Sequence, residues 1–263
     1  MITQRGSTYR ARANVWRNTM SKIPTRPQDI FESFVSDYQK AFESDLLSII
    51  LYGSGARGEY IPKKSDLNFM IVLTENGMKH LSKAIPLISK WHKQRVNTPL
   101  FLTSTSIVSS LDTFPIEFLN IQAAYTVIYG DDCLKNLSFD KRYVRLQCER
   151  EVKGKLVQLR KHFLETAGNG RKTEALISAS LPTFFSLFQA ISFLKDKGSI
   201  VERQTLIKTL AQETGLNQDL FLELLSIKDG RKKLASSQAI PLMEKYIEEI
   251  QKLSNFLDQL KVA

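Results

Sequence analysis

The chain has 263 residues, 43% of them hydrophobic and 24% charged, with a formal net charge of +10. That length holds one large or two ordinary domains, each able to bury a core, and the composition is that of a globular chain rather than a disordered or fibrous one. Two cysteines in no metal-like or redox spacing, Cys133 and Cys148, exclude a disulfide framework and read as free intracellular thiols.

The positive charge begins at once. Residues 1–19 carry Arg5, Arg10, Arg12 and Arg17 with no acid and no apolar periodicity, and they precede Met20-Ser21, which itself reads like a start. The expectation is a disordered basic tail, or an upstream extension of the reading frame. The remaining positive charge favours anionic ligands without specifying nucleic acid. From Pro27 to Glu43, Ile30, Phe31, Phe34, Tyr38 and Phe42 recur at helical spacing and predict an amphipathic helix packed on the strand that follows.

Leu47–Tyr52 is a short apolar run ending in glycine, the pattern of a buried strand. Gly53-Ser54-Gly55 then permits a sharp turn and a close approach of backbone to a ligand. One or two helical turns over Ala56–Tyr60 would aim unpaired N–H groups at whatever lies over the glycines, which suits a phosphate. After Pro62 and two lysines, Ser65-Asp66-Leu67-Asn68 leads into a second apolar run, Phe69–Leu73. Side chains alternate along a strand, so Asp66 and Asn68 share a face. A glycine turn for phosphate beside two oxygen ligands suits a magnesium-nucleotide site.

A helix capped by Asn76 is expected to run to about Lys93, with Met78, Leu81, Ile85, Ile88 and His92 on one face and with Pro86 bending or splitting it. Thr98–Thr103 is the next strand candidate and carries no acid. Pro115–Ile121 reads either as a strand, which would offer Glu117 as an acid of the site, or as a short helix, which would leave Glu117 on the surface. Tyr125–Tyr129 is another apolar strand, and Gly130-Asp131-Asp132 after it is turn chemistry. Beyond residue 140 the pattern is helical throughout. Lys141–Glu165 carries the stripe Cys148, Val152, Leu156, Leu159, Phe163 among many cations, which read as a solvated face or as contacts for a triphosphate or an acidic partner. Lys172–Lys197 is apolar nearly all round, marking the centre of a bundle, with a kink expected at Pro182. Further helices are predicted near 202–213, 218–228 and 237–261. No run approaches the roughly eighteen apolar residues of a membrane span and no signal-peptide core is visible, so a cytoplasmic location is expected.

The stretch GSGARGEYIPKKSDLN resembles the signature of the DNA polymerase beta-type nucleotidyltransferases: Gly-Ser, a loop of about ten residues, then Asp-x-Asp at the head of a strand. It is most similar to the small bacterial branch that includes the aminoglycoside nucleotidyltransferases, where Ala-Arg-Gly-Glu commonly follows the Gly-Ser. The likeness covers about 25 residues. It departs at one place, since the second Asp of the pair is Asn68 here.

The resemblance implies an α+β fold: a small mixed sheet flanked by helices over residues 20–139, then an all-helical bundle over 140–263 that completes the acceptor site or a dimer contact. It implies transfer of a nucleoside monophosphate from a nucleoside triphosphate to an acceptor hydroxyl, on a small molecule or a protein, with magnesium. Gly53 and Ser54 carry over as triphosphate contacts. Arg57 carries over to the phosphate side, or else pairs with Glu59. Asp66 carries over as a metal ligand and catalytic residue, Asn68 stands at the second metal-ligand position, and Glu117 is the candidate third carboxylate of the catalytic site. A neutral amide offsets divalent charge far less than a carboxylate. Three readings therefore stay open: an active transferase, a nucleotide-binding relic that has become regulatory or scaffolding, and a helical interaction protein keeping only the fold. A polynucleotide partner is disfavoured, because only Tyr143 accompanies the basic helix as a stacking ring. A fused ribonuclease of the toxin type is disfavoured too, because none of the three histidines follows an arginine at that motif's spacing.

Overall fold

The structure is a computed structural model and describes residues 23–262. The basic stretch at residues 1–19 lies outside the described residues. The chain is α+β and divides into two compact units: one runs to Ser104 and takes in Thr126–Asp132, and the other comprises Thr105–Tyr125 and Cys133 onward.

The first unit is built on a four-stranded mixed sheet in the order β3-β2-β1-β4. Its strands are β1 (Leu46–Tyr52), β2 (Asn68–Leu73), β3 (Leu100–Thr103) and β4 (Tyr125–Gly130). β1 and β2 run antiparallel, from Leu46 opposite Leu73 to Tyr52 opposite Asn68, and β3 lies parallel to β2. As the sequence predicts, a helix precedes the sheet. It is α1 (Phe31–Phe42), entered through a 3-10 turn at Pro27–Ile30. Its Phe34, Tyr38 and Phe42 are buried, and Phe34 stacks on Phe69 of β2 with ring centroids 4.2 Å apart. Phe69, Ile71 and Leu73 of β2 join Ile49 and Leu51 of β1 and Trp91 in that core.

The helix expected from Asn76 to about Lys93 is in three pieces: α2 (Glu75–Lys79), a 3-10 turn at Leu81–Ala84, and α3 (Ile85–His92). Pro86 sits in the first turn of α3, where the missing N–H has no intrahelical partner to lose, so the chain breaks ahead of it. The N-cap is Thr74 rather than Asn76. The Thr74 hydroxyl accepts from the Gly77 N–H at 3.0 Å, while Asn76 donates to Asp45. At the far edge, Gly130 has φ +73°, and a Cβ there would lie 1.9 Å from the Leu47 carbonyl oxygen, so β4 can close against β1 only with glycine at that position.

The second unit is helical: α4 (Ser104–Ser109) leads into it, followed by α5 (Pro115–Ala123), α6 (Lys141–Thr166), α7 (Gly170–Leu194), α8 (Arg203–Thr214), α9 (Gln218–Lys228) and α10 (Ser236–Gln259). Residues 105–125 therefore go with the helices, not with the sheet domain expected to reach residue 139. The reason is packing: Ile116 and Leu119 of α5 belong to the helical core, and the Ile116 N–H donates to Gln147 Oε1 of α6 at 2.9 Å. α7 is central, burying Ile177, Leu181, Phe184, Phe188 and Ile191, and Pro182 lies within it without ending it. By length and composition α7 could also cross a membrane, contrary to the sequence expectation, but 56% of that apolar window is buried inside the protein. Cys148 is buried on α6, where desolvation pushes its thiol pKa up.

Candidate functional site

The two segments of the signature meet at one end of the sheet. Tyr52, the last residue of β1, pairs with Asn68, the first of β2. The chain then folds back over β2 in a 3-10 turn at Gly53–Gly55. Gly53 has φ +74°, and a Cβ there would stand 3.2 Å from Asn68 Nδ2; a Cβ on Gly55 would stand 3.0 Å from Leu67 Cδ2. Both glycines thus let backbone lie directly on the Leu67-Asn68 step. The Gly53 carbonyl accepts from the N–H groups of Ala56 and Arg57, each at 3.1 Å, and the Ser54 carbonyl accepts from the Glu59 N–H at 3.0 Å. Ser54 is half-buried, and among the described residues its hydroxyl has no hydrogen-bond partner. Burial pushes the phenol of Tyr52 above its ordinary pKa, and that of Tyr60 likewise, so both are neutral donors at physiological pH.

A second strip of backbone completes the floor. Leu67 forms a parallel bridge with Val96: the Leu67 N–H donates to the Arg95 carbonyl and the Asn97 N–H to the Leu67 carbonyl, each at 2.9 Å. The polar neighbours on either side pair across that bridge. Arg95 Nη2 lies 2.8 Å from Asp66 Oδ1, and Asn97 Nδ2 donates to Asn68 Oδ1 at 2.8 Å. Arg95 Nη2 also donates to the Lys64 carbonyl at 3.1 Å, and Arg95 itself holds φ +61°, a conformation L side chains rarely adopt. Arg57 turns to Glu59, with Nε 3.2 Å from Oε2, the alternative the sequence left open to a phosphate contact. Sequence reasoning missed Arg95 and Asn97. The signal was there in the triplet Arg95-Val96-Asn97, whose polar–apolar–polar pattern repeats that of Asp66-Leu67-Asn68, but nothing local says that the two triplets pair.

β3 carries no acid. The segment Pro115–Ala123 is a helix, with Pro115 in its first turn, because Ile116, Phe118, Leu119 and Ile121 are buried together in a pattern no half-buried strand could satisfy. Glu117 is exposed there and accepts from Gln147 Nε2 at 2.8 Å. This is the surface carboxylate of the sequence's second alternative. On α6, several cations are engaged with acids of their own unit: Arg145 with Glu149, Lys153 with Glu149 and Asp258, Lys155 with Glu151.

The donor set on the sheet fits the magnesium ions implied by the resemblance poorly. Among the described residues no three acidic, histidine or cysteine side chains come together to hold a metal. Asp66 is the carboxylate of the Asp66-Leu67-Asn68 triplet and already faces a guanidinium; Asn68 offers a neutral oxygen that accepts from Asn97. A divalent ion on Asp66 would sit beside the fixed charge of Arg95, which opposes it.

No protein-family model matches the chain. No curated protein matches it either. Among solved structures it is similar to spectinomycin adenyltransferase AAD(9) from Enterococcus faecialis, determined with ATP and spectinomycin. That similarity has a TM-score of 0.47 at 14% identity and covers 87% of this chain and 99% of the other.

Proposed function

We propose that the chain is a nucleoside-triphosphate-binding protein of nucleotidyltransferase type in which metal-dependent nucleotidyl transfer has been lost, leaving a regulatory or scaffolding role. The reading is carried by one observation: the Gly53–Gly55 turn lies directly on Asn68, so the phosphate-binding turn and the acidic-pair position converge, while the second carboxylate is an amide tied to Asn97. In this site the Gly53 and Ser54 backbone, with the Ser54 hydroxyl, hold the polyphosphate; Arg57 belongs to its rim. The cytoplasm is the proposed setting, in keeping with the free thiols Cys133 and Cys148.

A second reading, nucleotidyl transfer to an acceptor hydroxyl, is favoured by the accessibility of Asp66. Its side chain is 42% exposed and its partner Arg95 36%, and exposed pairs of this kind contribute only about 0–1 kcal/mol, so the carboxylate is readily released.

Thermal melts with ATP and a pyrophosphate-release assay with labelled triphosphate separate the two. The binding reading expects a melting shift with ATP and no pyrophosphate; turnover lost in Asp66→Ala would establish transfer instead. Asn68→Asp restores the second carboxylate, and a magnesium-dependent gain of ATP affinity in that variant is the expected outcome, read by calorimetric titration. If neither the parent nor this variant binds ATP, the proposal falls.

A further inference from the structure

Resting on the nucleotide reading, the mismatch between the donor set and magnesium has a specific counterpart in Arg95. We propose that Arg95 stands where the site's metal cation would act. The polyphosphate of a nucleoside triphosphate binds directly to its guanidinium without a divalent ion, and Asp66 competes for that guanidinium rather than ligating metal.

Arg95 is held in place from both sides. Its N–H donates to the His92 carbonyl at 3.0 Å and its carbonyl accepts from the Leu67 N–H at 2.9 Å, which fixes its Cα at the head of β2 in spite of φ +61°. Its side chain reaches the position that the acidic pair occupies in the family signature, since Nη2 is 2.8 Å from Asp66 Oδ1. The guanidinium is only partly satisfied. It carries five N–H donors; Nη2 serves Asp66 and the Lys64 carbonyl, and the buried Nε has no partner. Nε is buried beyond a ligand's reach, so the donors a phosphate meets are those of Nη1, which has no hydrogen-bond partner among the described residues, and of Nη2 once Asp66 gives way; that planar pair matches two oxygens of a phosphate in a way that a lysine point charge does not. Arg57, by contrast, has its Nε engaged by Glu59. Lys63 and Lys64, exposed on the loop leading to Asp66, add positive potential on the approach.

This assignment reverses the sign of one substitution. Were Asp66 a metal ligand, removing its charge would abolish triphosphate binding; as a competitor for Arg95 and a like charge beside the phosphates, its removal tightens binding. The test is titration of ATP in EDTA, and again with magnesium chloride, into the full chain and its Asp66→Asn, Arg95→Gln and Arg95→Lys variants, each checked by thermal melt. The expected result in EDTA is binding by the parent chain, a tightening of about threefold or more in Asp66→Asn, a loss of about tenfold or more in Arg95→Gln, and partial retention in Arg95→Lys. Binding that needs magnesium, is abolished by Asp66→Asn and is indifferent to Arg95→Gln would overturn the assignment while leaving a nucleotide site in place. No ATP binding by the parent chain in either buffer would overturn both. Because Asp66 is an exposed side chain, its variant reports even if the Arg95 variants fold poorly.

Discussion

At the scale of single residues, two glycines and two side-chain pairs shape the sheet unit. Gly53 combines φ +74° with the amide of Asn68 at 3.2 Å from the absent Cβ. Gly53→Ala is therefore expected to cost about 1–2 kcal/mol from backbone conformation alone, with any displacement of Asn68 added to it, as read from the midpoint of chemical denaturation. Gly130→Ala should be worse. Its Cβ would meet backbone at 1.9 Å, not a movable side chain, so β4 must leave β1, and protease cutting near residue 130 should rise sharply. Unchanged melting and proteolysis in that variant would contradict the described edge. The glycine turn and the Asp66–Asn68 alternation were legible in the sequence because both are local patterns. The pairs that close the site were not. Arg95 and Asn97 come from a segment 29 residues beyond their partners and arrive by a single parallel bridge, for which there is no local code. Glu117 was ambiguous for a different reason: Phe114-Pro-Ile-Glu-Phe-Leu-Asn-Ile121 alternates well enough for a strand, and only the helical core that claims Ile116 and Leu119 decides it.

At the scale of elements, long helices with a marked apolar stripe were readable, and α1, α6, α7 and α10 fall where periodicity puts them. Phe188 of α7 packs edge-on against Phe185 and Phe221, with ring centroids 5.7 and 5.2 Å away, and is fully buried. Phe188→Ala should cost about 3–5 kcal/mol in unfolding free energy through lost burial and the cavity left behind. Element ends were read less well, because capping depends on which of several small polar residues reaches the free N–H groups. Thr74 and Asn76 are both competent, and Asp45 decides between them. Its carboxylate takes hydrogen bonds from the Thr74 hydroxyl and from Asn76 Nδ2, the latter at 3.0 Å. The Thr74 hydroxyl bond, above all, holds the Asp45 carboxyl below its usual pKa. A carboxylate with a depressed folded-state pKa gives its full contribution above the unfolded value near 3.9 and loses it as pH falls through the folded one. The melting difference between the parent chain and Asp45→Asn should therefore be steady near neutrality and shrink below about pH 4; a difference that is flat from neutral to acid would refute this role. Thr74→Ala removes the cap and should cost about 1 kcal/mol.

At the scale of the whole molecule, the sheet unit gathers a glycine turn, the Asp66 carboxylate, the Asn68 amide and the Arg95 guanidinium at the same end of β1 and β2. That collection is suited to holding a polyphosphate and poorly suited to holding a cluster of divalent ions. The helical unit has its own core and its own ion pairs, and several cations of α6, Arg145, Lys153 and Lys155 among them, are engaged within it. Nucleotide binding on this set of groups is therefore expected not to depend on a divalent metal. Calorimetric titration of ATP into the full chain, once in EDTA and once in magnesium chloride, tests this most directly. Dissociation constants that agree within about threefold, a difference of roughly 0.6 kcal/mol, are the expected result. Binding observed in magnesium and absent in EDTA would contradict it.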